Sequence, residues 1–353
     1  MKVDHIIVGQ GLAGSLLAWH LLQRGRKVLV VDRDEAVTSS KVAAGLVTPV
    51  SGQQYSLPEG IEETLTFAKQ VYWDIEEELG QQYFHHLRIA RLFGGKRDIE
   101  KWAKRLSDPG QKSRYESFAE KLEIDQSLIN APFGGIEVKN GGWLNVAAFV
   151  EGIRQYLLER LAYAVGTVKS RDVQCLPNGG VQWRNITAQN IIFCEGWKGV
   201  NNHFFGRIPM NNARGDILRC RAKLPEGESR IINRNGWILP LGNGEFRGGS
   251  SYDHHYLDEY PTKKGRAEVE EKIRVILKED FEVIDHQSAI RPIIKRSQVF
   301  MGRHPEVNDI VYFNGLGSKG VLNAPARTLA LVEHLTEGKP VPRVNDIQVQ
   351  FEW

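Results

Sequence analysis

The amino-acid sequence predicts an α/β fold, with a dinucleotide-type unit at its start, a strand-rich middle and a second glycine turn near its end. Three observations carry this expectation. The stretch MKVDHIIVGQGLAGSLLAWHLLQRGRKVLVVDRD reads as strand, tight turn, helix, strand and terminal acid. Residues 214–300 are rich in strand patterns, with one helix near 262–279. A second glycine turn, Gly315-Leu316-Gly317-Ser318-Lys319-Gly320, lies far along the chain, again between a strand and a helix.

The first unit begins with an apolar strand, His5-Ile6-Ile7-Val8, which runs into Gly9-x-Gly11-x-x-Gly14. Gly9 permits the tight turn. Gly11 lets a pyrophosphate approach the backbone, and Gly14 lets the helix pack close to the sheet. The helix carries Leu16, Leu17, Ala18, Leu21 and Leu22 and closes at Gly25. Its N-terminus offers free N–H groups and the positive end of the helix dipole. A second strand, Val28-Leu29-Val30-Val31, delivers Asp32, placed to accept hydrogen bonds from a ribose diol. Such a unit in its full context is a dinucleotide site, open at this point to NAD or FAD.

The remaining elements follow from periodicity and punctuation. Residues 39–53 are small and end in turn chemistry. Leu65, Ala68, Val71, Tyr72 and Ile75 predict a helix over 61–80. Residues 83–94 read as one strand and 97–107 as a charged amphipathic helix. Pro109, Pro132 and several glycines break the stretch 108–140. A helix is expected over 145–162, then short strands over 164–194 with a turn at 177–180. Residues 309–314 form the strand before the second glycine turn, and Asn323 is a plausible cap for a helix over 324–337.

Bulk properties bound the function. A chain of 353 residues, 41% hydrophobic and 25% charged, reads as an ordinary globular protein of two domains or one large one. A net charge of +3 does not argue for nucleic acid, though it leaves a local basic patch open. The three cysteines, Cys175, Cys194 and Cys220, have no metal-ligand or CxxC spacing, which suits free thiols in the cytoplasm. The first strand starts too early for a leader peptide, and no apolar run reaches the roughly 18 residues of a membrane span. A cytoplasmic location is expected. The pairs His85-His86 and His254-His255 suggest no metal, because neighbours on a strand point to opposite faces.

The second glycine cluster decides between the cofactors. One dinucleotide has one pyrophosphate, so a second turn of this kind serves another end of the molecule. FAD is long enough to reach it. Its adenosine end then belongs to the first cluster and its flavin to the second, where amides 317–322 and a helix N-terminus face the pyrimidine edge. Reduction places negative charge there, and such donors stabilise it.

Several segments then carry a resemblance to the FAD-dependent oxidoreductases of the D-amino-acid oxidase and glycine oxidase family. These are SSKVAAGLVTP, the turn Gly141-Gly142-Trp143-Leu144-Asn145, IIFCEGWKG, Arg214-Gly215-Asp216-Ile217-Leu218, Ile290-Arg291-Pro292 with Met301-Gly302-Arg303, and GLGSKGVLNAP. The last is also similar to the oxidase half of the bifunctional enzymes that modify wobble uridine in tRNA. The chain departs from the family pattern at Ala289 and Glu195, and it lacks the acid that often follows Arg-Pro. The resemblance implies a discontinuous Rossmann-like FAD-binding domain over 1–65, 140–212 and 300–345. It also implies an α+β substrate domain on a mostly antiparallel sheet over 66–139 and 213–299. Non-covalent FAD would contact Gly9, Gly11, Leu12, Ala13, Gly14, Asp32 and Arg33, then Ala43, Ala44, Gly45 and Leu46. Gly196, Trp197, Gly315, Gly317, Ser318, Lys319, Gly320 and Val321 complete that set.

The implied reaction is hydride transfer from a small amine or amino acid to flavin N5, giving an imine. Arg291 occupies the carboxylate-binding position, Arg247 and Tyr252 lie where the family lines its pocket, and Lys319 sits in the flavin-proximal turn. Related readings are oxidation of a 2-hydroxy acid, oxidative removal of a carboxymethyl group from a modified tRNA base, and a partner-dependent flavoprotein subunit. The electron acceptor, oxygen or another, stays open. Lys295, Arg296 and Arg303 are candidates for a basic substrate surface.

Overall fold

The computed structural model describes residues 1–294 and 298–353. The chain opens with β1 (His5–Val8), α1 (Leu12–Gln23), β2 (Val28–Asp32), α2 (Ser39–Val42) and β3 (Leu46–Val47). Next come α3 (Ile61–Leu79), β4 (Phe84–His86), β5 (Ile89–Leu92), α4 (Lys96–Leu106), α5 (Lys112–Phe118), β6 (Ala119–Lys121), β7 (Gly135–Val138) and β8 (Gly142–Leu144). Helix α6 (Val146–Glu159) leads into β9 (Tyr163–Val165), β10 (Gln174–Cys175), β11 (Val181–Trp183), β12 (Ile186–Ala188) and β13 (Asn190–Phe193). There follow β14 (Ala213–Arg221), β15 (Ile231–Asn233), β16 (Trp237–Gly242), β17 (Glu245–Gly249), α7 (Lys263–Ile276) and β18 (Glu282–Arg291). The last elements are β19 (Phe300–Arg303), β20 (Ile310–Asn314), α8 (Gly320–Glu337) and α9 (Ile347–Gln350).

Among the described residues the first main sheet has the order β19-β20-β13-β1-β2-β9. Its pairs are parallel except β19 with β20. The central strands are apolar on both faces because both faces are covered. Ile7, Val30, Ile192, Val311 and Phe313 pack under α1, α3, α6 and α8. Their neighbours Ile6, Val8, Leu29, Val31, Ile191 and Phe193 face the opposite way, onto Val181, Trp183 and Ala188 of the small β10-β11-β12 sheet and onto Phe205.

The second main sheet has the order β18-β14-β17-β16-β15-β5-β7-β6 and is antiparallel except at β15 with β5. Period-two alternation divides its residues. Leu218, Cys220, Ile232, Ile238, Phe246 and Ala90 pack against Val269, Ile273 and Ile276 of α7. The alternate residues, Gly215, Ile217, Trp237, Asn233, Arg91, Ala289 and Arg291, line a cleft toward the first sheet.

Three expectations are corrected. Residues 83–94 are two strands: β4 joins β3 and β8, whereas β5 joins the large sheet. The segment 39–53 contains α2, capped by the Thr38 hydroxyl, which accepts from Lys41 N at 3.2 Å. Asn323 is no cap. Helix α8 begins at Gly320, and Lys319 holds the cap position. Pro325 therefore lies inside the helix and lacks the N–H that would bond the Val321 carbonyl. The buried Tyr72 hydroxyl of α3 donates to that carbonyl instead, at 2.7 Å. This tertiary bond satisfies the carbonyl that the internal proline leaves without its helical donor, and the helix starts four residues earlier than expected. Lys295 and Arg296 lie outside the described residues. Arg303 is held by Asn190 Oδ1 at 2.7 Å and the Asn308 carbonyl.

Tyr72→Phe leaves the Val321 carbonyl buried without a donor. The expected loss is about 1–3 kcal/mol in chemical denaturation. A second outcome concerns acid stability. His5 and His20 are buried, and desolvation lowers both rings to about 4. An unfolded histidine titrates near 6.5, so between these values the unfolded chain binds more protons. Stability is then lost as the pH falls through that window, at about 1.4 kcal/mol per unit for each ring. His20→Leu should make the fall in urea midpoint between neutral and acidic pH shallower by about that amount for one ring.

Candidate active site

The two main sheets enclose a cleft of about 660 Å³. One wall comes from four chain segments, 8–13, 31–53, 194–198 and 314–322, and the other from the large sheet. The fold thus brings both glycine turns to one cavity.

At the first turn, Gly9 has φ +99°, and a Cβ there would lie 2.5 Å from the Cys194 carbonyl oxygen. A Cβ on Gly14 would lie 1.9 Å from the Gly9 carbonyl oxygen, so α1 approaches β1 as no side chain would allow. Gly11 is the helix cap residue, with no side chain between the helix N-terminus and the cleft. Leu12 N already donates to Ser40 Oγ at 3.0 Å, while Ala13 stands in the first turn, where amides lack intrahelical acceptors. Asp32 accepts from Gln10 N at 2.7 Å and Asp34 N at 2.8 Å, and its half-buried carboxylate lines the cleft. Arg33 is exposed at the rim, 3.6 Å from Glu35.

Sequence reasoning missed Arg154 of α6. Its Nε donates to Gln10 Oε1 at 2.9 Å, and its guanidinium pairs with Asp34 and stands 4.0 Å from Asp32. It ties α6 to the acidic end of β2. The partners are far apart in the chain, and no local pattern marks them.

The segment Ala43-Ala44-Gly45-Leu46 lines the cleft after α2. Gly45 has φ +72°, and a Cβ on it would meet the Leu144 carbonyl oxygen at 2.0 Å. Arg247 is corrected here. It projects from β17, but its guanidinium donates to the Val42 carbonyl at 2.7 Å and the Ala43 carbonyl at 3.2 Å. It lines no part of the cleft among the described residues and clamps the end of α2 to the large sheet. The C-terminal carbonyls of a short helix lack intrahelical donors and are strong acceptors, and they capture it.

Gly196 and Trp197 border the cleft after β13. The Gly196 carbonyl accepts from Asn314 Nδ2 at 2.7 Å, and Asn314 Oδ1 accepts from Gly315 N at 2.8 Å, so one buried side chain links the turn after β13 to the second glycine turn. The Trp197 indole donates to Glu259 at 3.0 Å. Glu195 lines the same wall, and burial raises its carboxyl above the usual range. Gly315 and Gly317 have φ +88° and +56°, and Gly317 N donates to the Pro292 carbonyl at 3.0 Å. Ser318 and Lys319 are exposed, while Gly320 and Val321 open the buried start of α8. Lys319 Nζ reaches Ser51 Oγ at 3.1 Å. Two helix N-termini and glycines that keep side chains out of the cavity make a cradle suited to a long dinucleotide.

Arg291, the last residue of β18, is largely desolvated, and burial lowers its pKa. Its Nη2 donates to Ser250 Oγ at 2.7 Å, and its Nη1 donates to the Ser251 carbonyl at 3.3 Å and the Arg214 carbonyl at 3.5 Å. A Cβ on Gly215 would lie 2.1 Å from Nη2, so that glycine makes room for the fork. Ser251 is itself fixed. Its hydroxyl donates to buried Asp216 Oδ2 at 2.6 Å and accepts from Asp216 N at 2.7 Å. His286 Nε2 lies 2.9 Å from Asp216 Oδ1. Asp216 and Glu268 act on Arg291 through space, but among the described residues no carboxylate forms an ion pair with it. Tyr252, 49% exposed, stands beside it, with the guanidinium carbon 5.2 Å from the ring centroid. Arg291 and Tyr252 meet in the cleft with Trp237, Asn233 and Lys319. Such a group can seize a carboxylate bidentately.

Among the described residues no cluster of His, Cys, Asp and Glu could hold a metal ion, and no helix is long and apolar enough to cross a membrane. Comparison with known proteins adds four findings. A family model described as FAD dependent oxidoreductase matches residues 4–331. The tRNA 5-methylaminomethyl-2-thiouridine biosynthesis bifunctional protein MnmC of Legionella pneumophila (strain Corby) is 24% identical over 260 residues. That match covers 70% of this chain but 37% of that protein, so the chain spans little more than a third of it. Glycine oxidase of Bacillus subtilis (strain 168) is 23% identical over 364 residues, 96% of this chain and 94% of that protein. The crystal structure of glycine oxidase from Bacillus cereus ATCC 14579 superposes with a TM-score of 0.81 at 18% identity, covering 96% of each chain, and so shares the fold. With both glycine turns inside the matched range, the chain belongs to the FAD dependent oxidoreductase family, and FAD is its cofactor.

Proposed function

We propose that this enzyme oxidises a small amine or amino acid that carries a carboxylate, giving an imine that water hydrolyses. The observation that carries this reading is Arg291, a desolvated guanidinium in the cleft with neutral partners and no ion pair among the described residues. Burying a cation without a counter-charge is costly, and a substrate carboxylate supplies that charge. Bound FAD supplies the two-electron acceptor that takes the hydride from the carbon beside the nitrogen.

The chain's own residues do the rest. The first turn with Asp32 would hold the adenosine and pyrophosphate end. Residues 43–46, Gly196, Trp197 and 315–321 would hold the flavin, with the α8 N-terminus toward its pyrimidine edge. Arg291 anchors the carboxylate, and the Ser250, Ser251 and Asp216 network keeps its fork in one orientation. Tyr252 covers the anchor from the solvent side. An anchored acid presents its α-carbon in a fixed place, and that positioning is a large part of catalysis. No strong base is required if the amine binds neutral. The expected division, with 1–65, 140–212 and 300–345 around the cofactor and 66–139 and 213–299 around the substrate, accompanies this reading. The bifunctional tRNA-modifying relatives also favour an amine substrate, of larger size, and the glycine oxidase relatives favour a small one.

The test is anaerobic loss of flavin absorbance against glycine, sarcosine, D-amino acids, other N-alkylated amino acids and 2-hydroxy acids. Bleaching by an amino acid, with ammonia or an alkylamine as product, supports the proposal. Bleaching by hydroxy acids alone contradicts it. Arg291→Ala should raise KM for carboxylate substrates by about ten- to a hundredfold, the worth of a hydrogen bond to a charged group. An unchanged KM removes the anchor.

A further inference from the structure

The cleft carries a second cationic point that the proposed reaction leaves unused. Arg91 lies on β5, and its register partner on β15 is Asn233, which in turn pairs with Trp237 of β16. Period two puts Arg91 on the same face as these residues and as Arg291, and it lines the same cavity. Burial lowers its pKa. Its guanidinium meets neutral groups: the Val50 carbonyl at 3.0 Å, the Gly52 carbonyl at 2.5 Å, and the Tyr55 ring at 4.1 Å. Asp98 acts on it at longer range, but among the described residues no carboxylate forms an ion pair with it. Val50, Ser51, Gly52 and Gln53 line the cleft beside it. Lys319, from the other wall, reaches the same loop at Ser51 and likewise has no ion pair among the described residues.

The rest of the cleft is treated differently. At its adenosine end Arg154 pairs with Asp34, Lys198 with Glu35 and Glu259, Lys41 with Asp34, and Arg33 with Glu35. Every cation lining that end has a carboxylate partner. At the substrate end Arg291, Arg91 and Lys319 have none among the described residues. A protein that neutralises one end so thoroughly leaves the other positive for a ligand that brings its own charge. One carboxylate on Arg291 accounts for one of the three.

The geometry points to a second anion subsite at Arg91 and Lys319, so that the substrate is an amine acid with a further carboxylate or phosphate at its far end. This rests on the reading of Arg291 as the carboxylate anchor. Five strand steps of about 4.8 Å separate β18 from β5, so the far anion is carried on an extended molecule. A glycine-sized substrate cannot reach both points.

The experiment uses oxidised, FAD-loaded enzyme and reads the perturbation of the flavin spectrum by non-reactive ligands. Hexanoate is compared with a ladder of dianions that runs up to the separation of the two strands (adipate, sebacate, hexadecanedioate and docosanedioate) and with the ω-phosphono acids of the same lengths. At least one extended dianion should bind about tenfold or more tighter than hexanoate, the worth of one added charged hydrogen bond. Arg91→Gln should collapse that ratio, and Arg91→Lys, which keeps the charge, should restore part of it. The phosphonate and dicarboxylate arms tell a phosphate-bearing substrate from a dicarboxylic one. Equal binding of hexanoate and every dianion by the wild type overturns the subsite, as does a ratio that survives Arg91→Gln. Hexanoate affinity lost in Arg291→Ala tests the anchor separately, so failure of the subsite and failure of the proposed function give different results.

Discussion

The architecture depends on one close approach. The Cα of Gly14 lies so near the Gly9 carbonyl that a single added carbon would sit 1.9 Å from its oxygen. That approach seats α1 flat on the parallel sheet with its N-terminus at the end of β1. Helix α8 packs beside α1, and Gly320 at its start lies near Leu12. Two helix N-termini therefore open side by side into one cleft, although their glycines are separated by most of the chain. β1, β13 and β20 are neighbours in the sheet, and each ends in one of the turns that floor the cavity. The parallel order of the sheet converts a distant pair of motifs into one binding surface.

Charge then divides that surface. At the acidic end of β2 the carboxylate of Asp32 is held by the backbone amides of Gln10 and Asp34, with the Arg154 guanidinium 4.0 Å away. The opposite end is held by neutral acceptors. Arg291 rests on two carbonyls and a serine hydroxyl, and Asp216 acts on it through Ser251. This arrangement keeps the guanidinium oriented without neutralising it. A directly bonded carboxylate would have satisfied the charge and closed the site to an anionic ligand. Arg247 marks the contrast. It stands on the same face of the sheet, but helix-end carbonyls consume it, and it stabilises the wall instead of binding a ligand.

Much of this was legible in the sequence, and the exceptions share a cause. Strongly periodic or glycine-punctuated elements, such as β1, α1, α3, α6 and both glycine turns, follow from local residues. The start of α8 does not. Pro325 argues locally for a later helix, and the Tyr72 hydroxyl from α3 overrides it. Arg154 and Arg91 were invisible because their partners lie on distant elements and any arginine on a helix or strand reads as solvated. Residues 83–94 read as one strand because no turn residue interrupts them, yet the strand splits at Leu87 and Arg88 because its two halves belong to different sheets. Arg247 was misplaced because its strand faces the cleft and its local pattern matches a pocket residue, whereas the carbonyls that capture it come from α2.

The proposed chemistry rests on one cofactor that spans both glycine turns and presents its reactive ring to Arg291. A crystal structure of the FAD complex tests it most directly. The expected result is the pyrophosphate against the first turn of α1, the ribose on Asp32, and the flavin pyrimidine edge at the amides of residues 317–321, with Arg291 facing the ring across open space. A flavin directed away from Gly315–Val321, or a ring whose substrate face is closed off from Arg291, would contradict it.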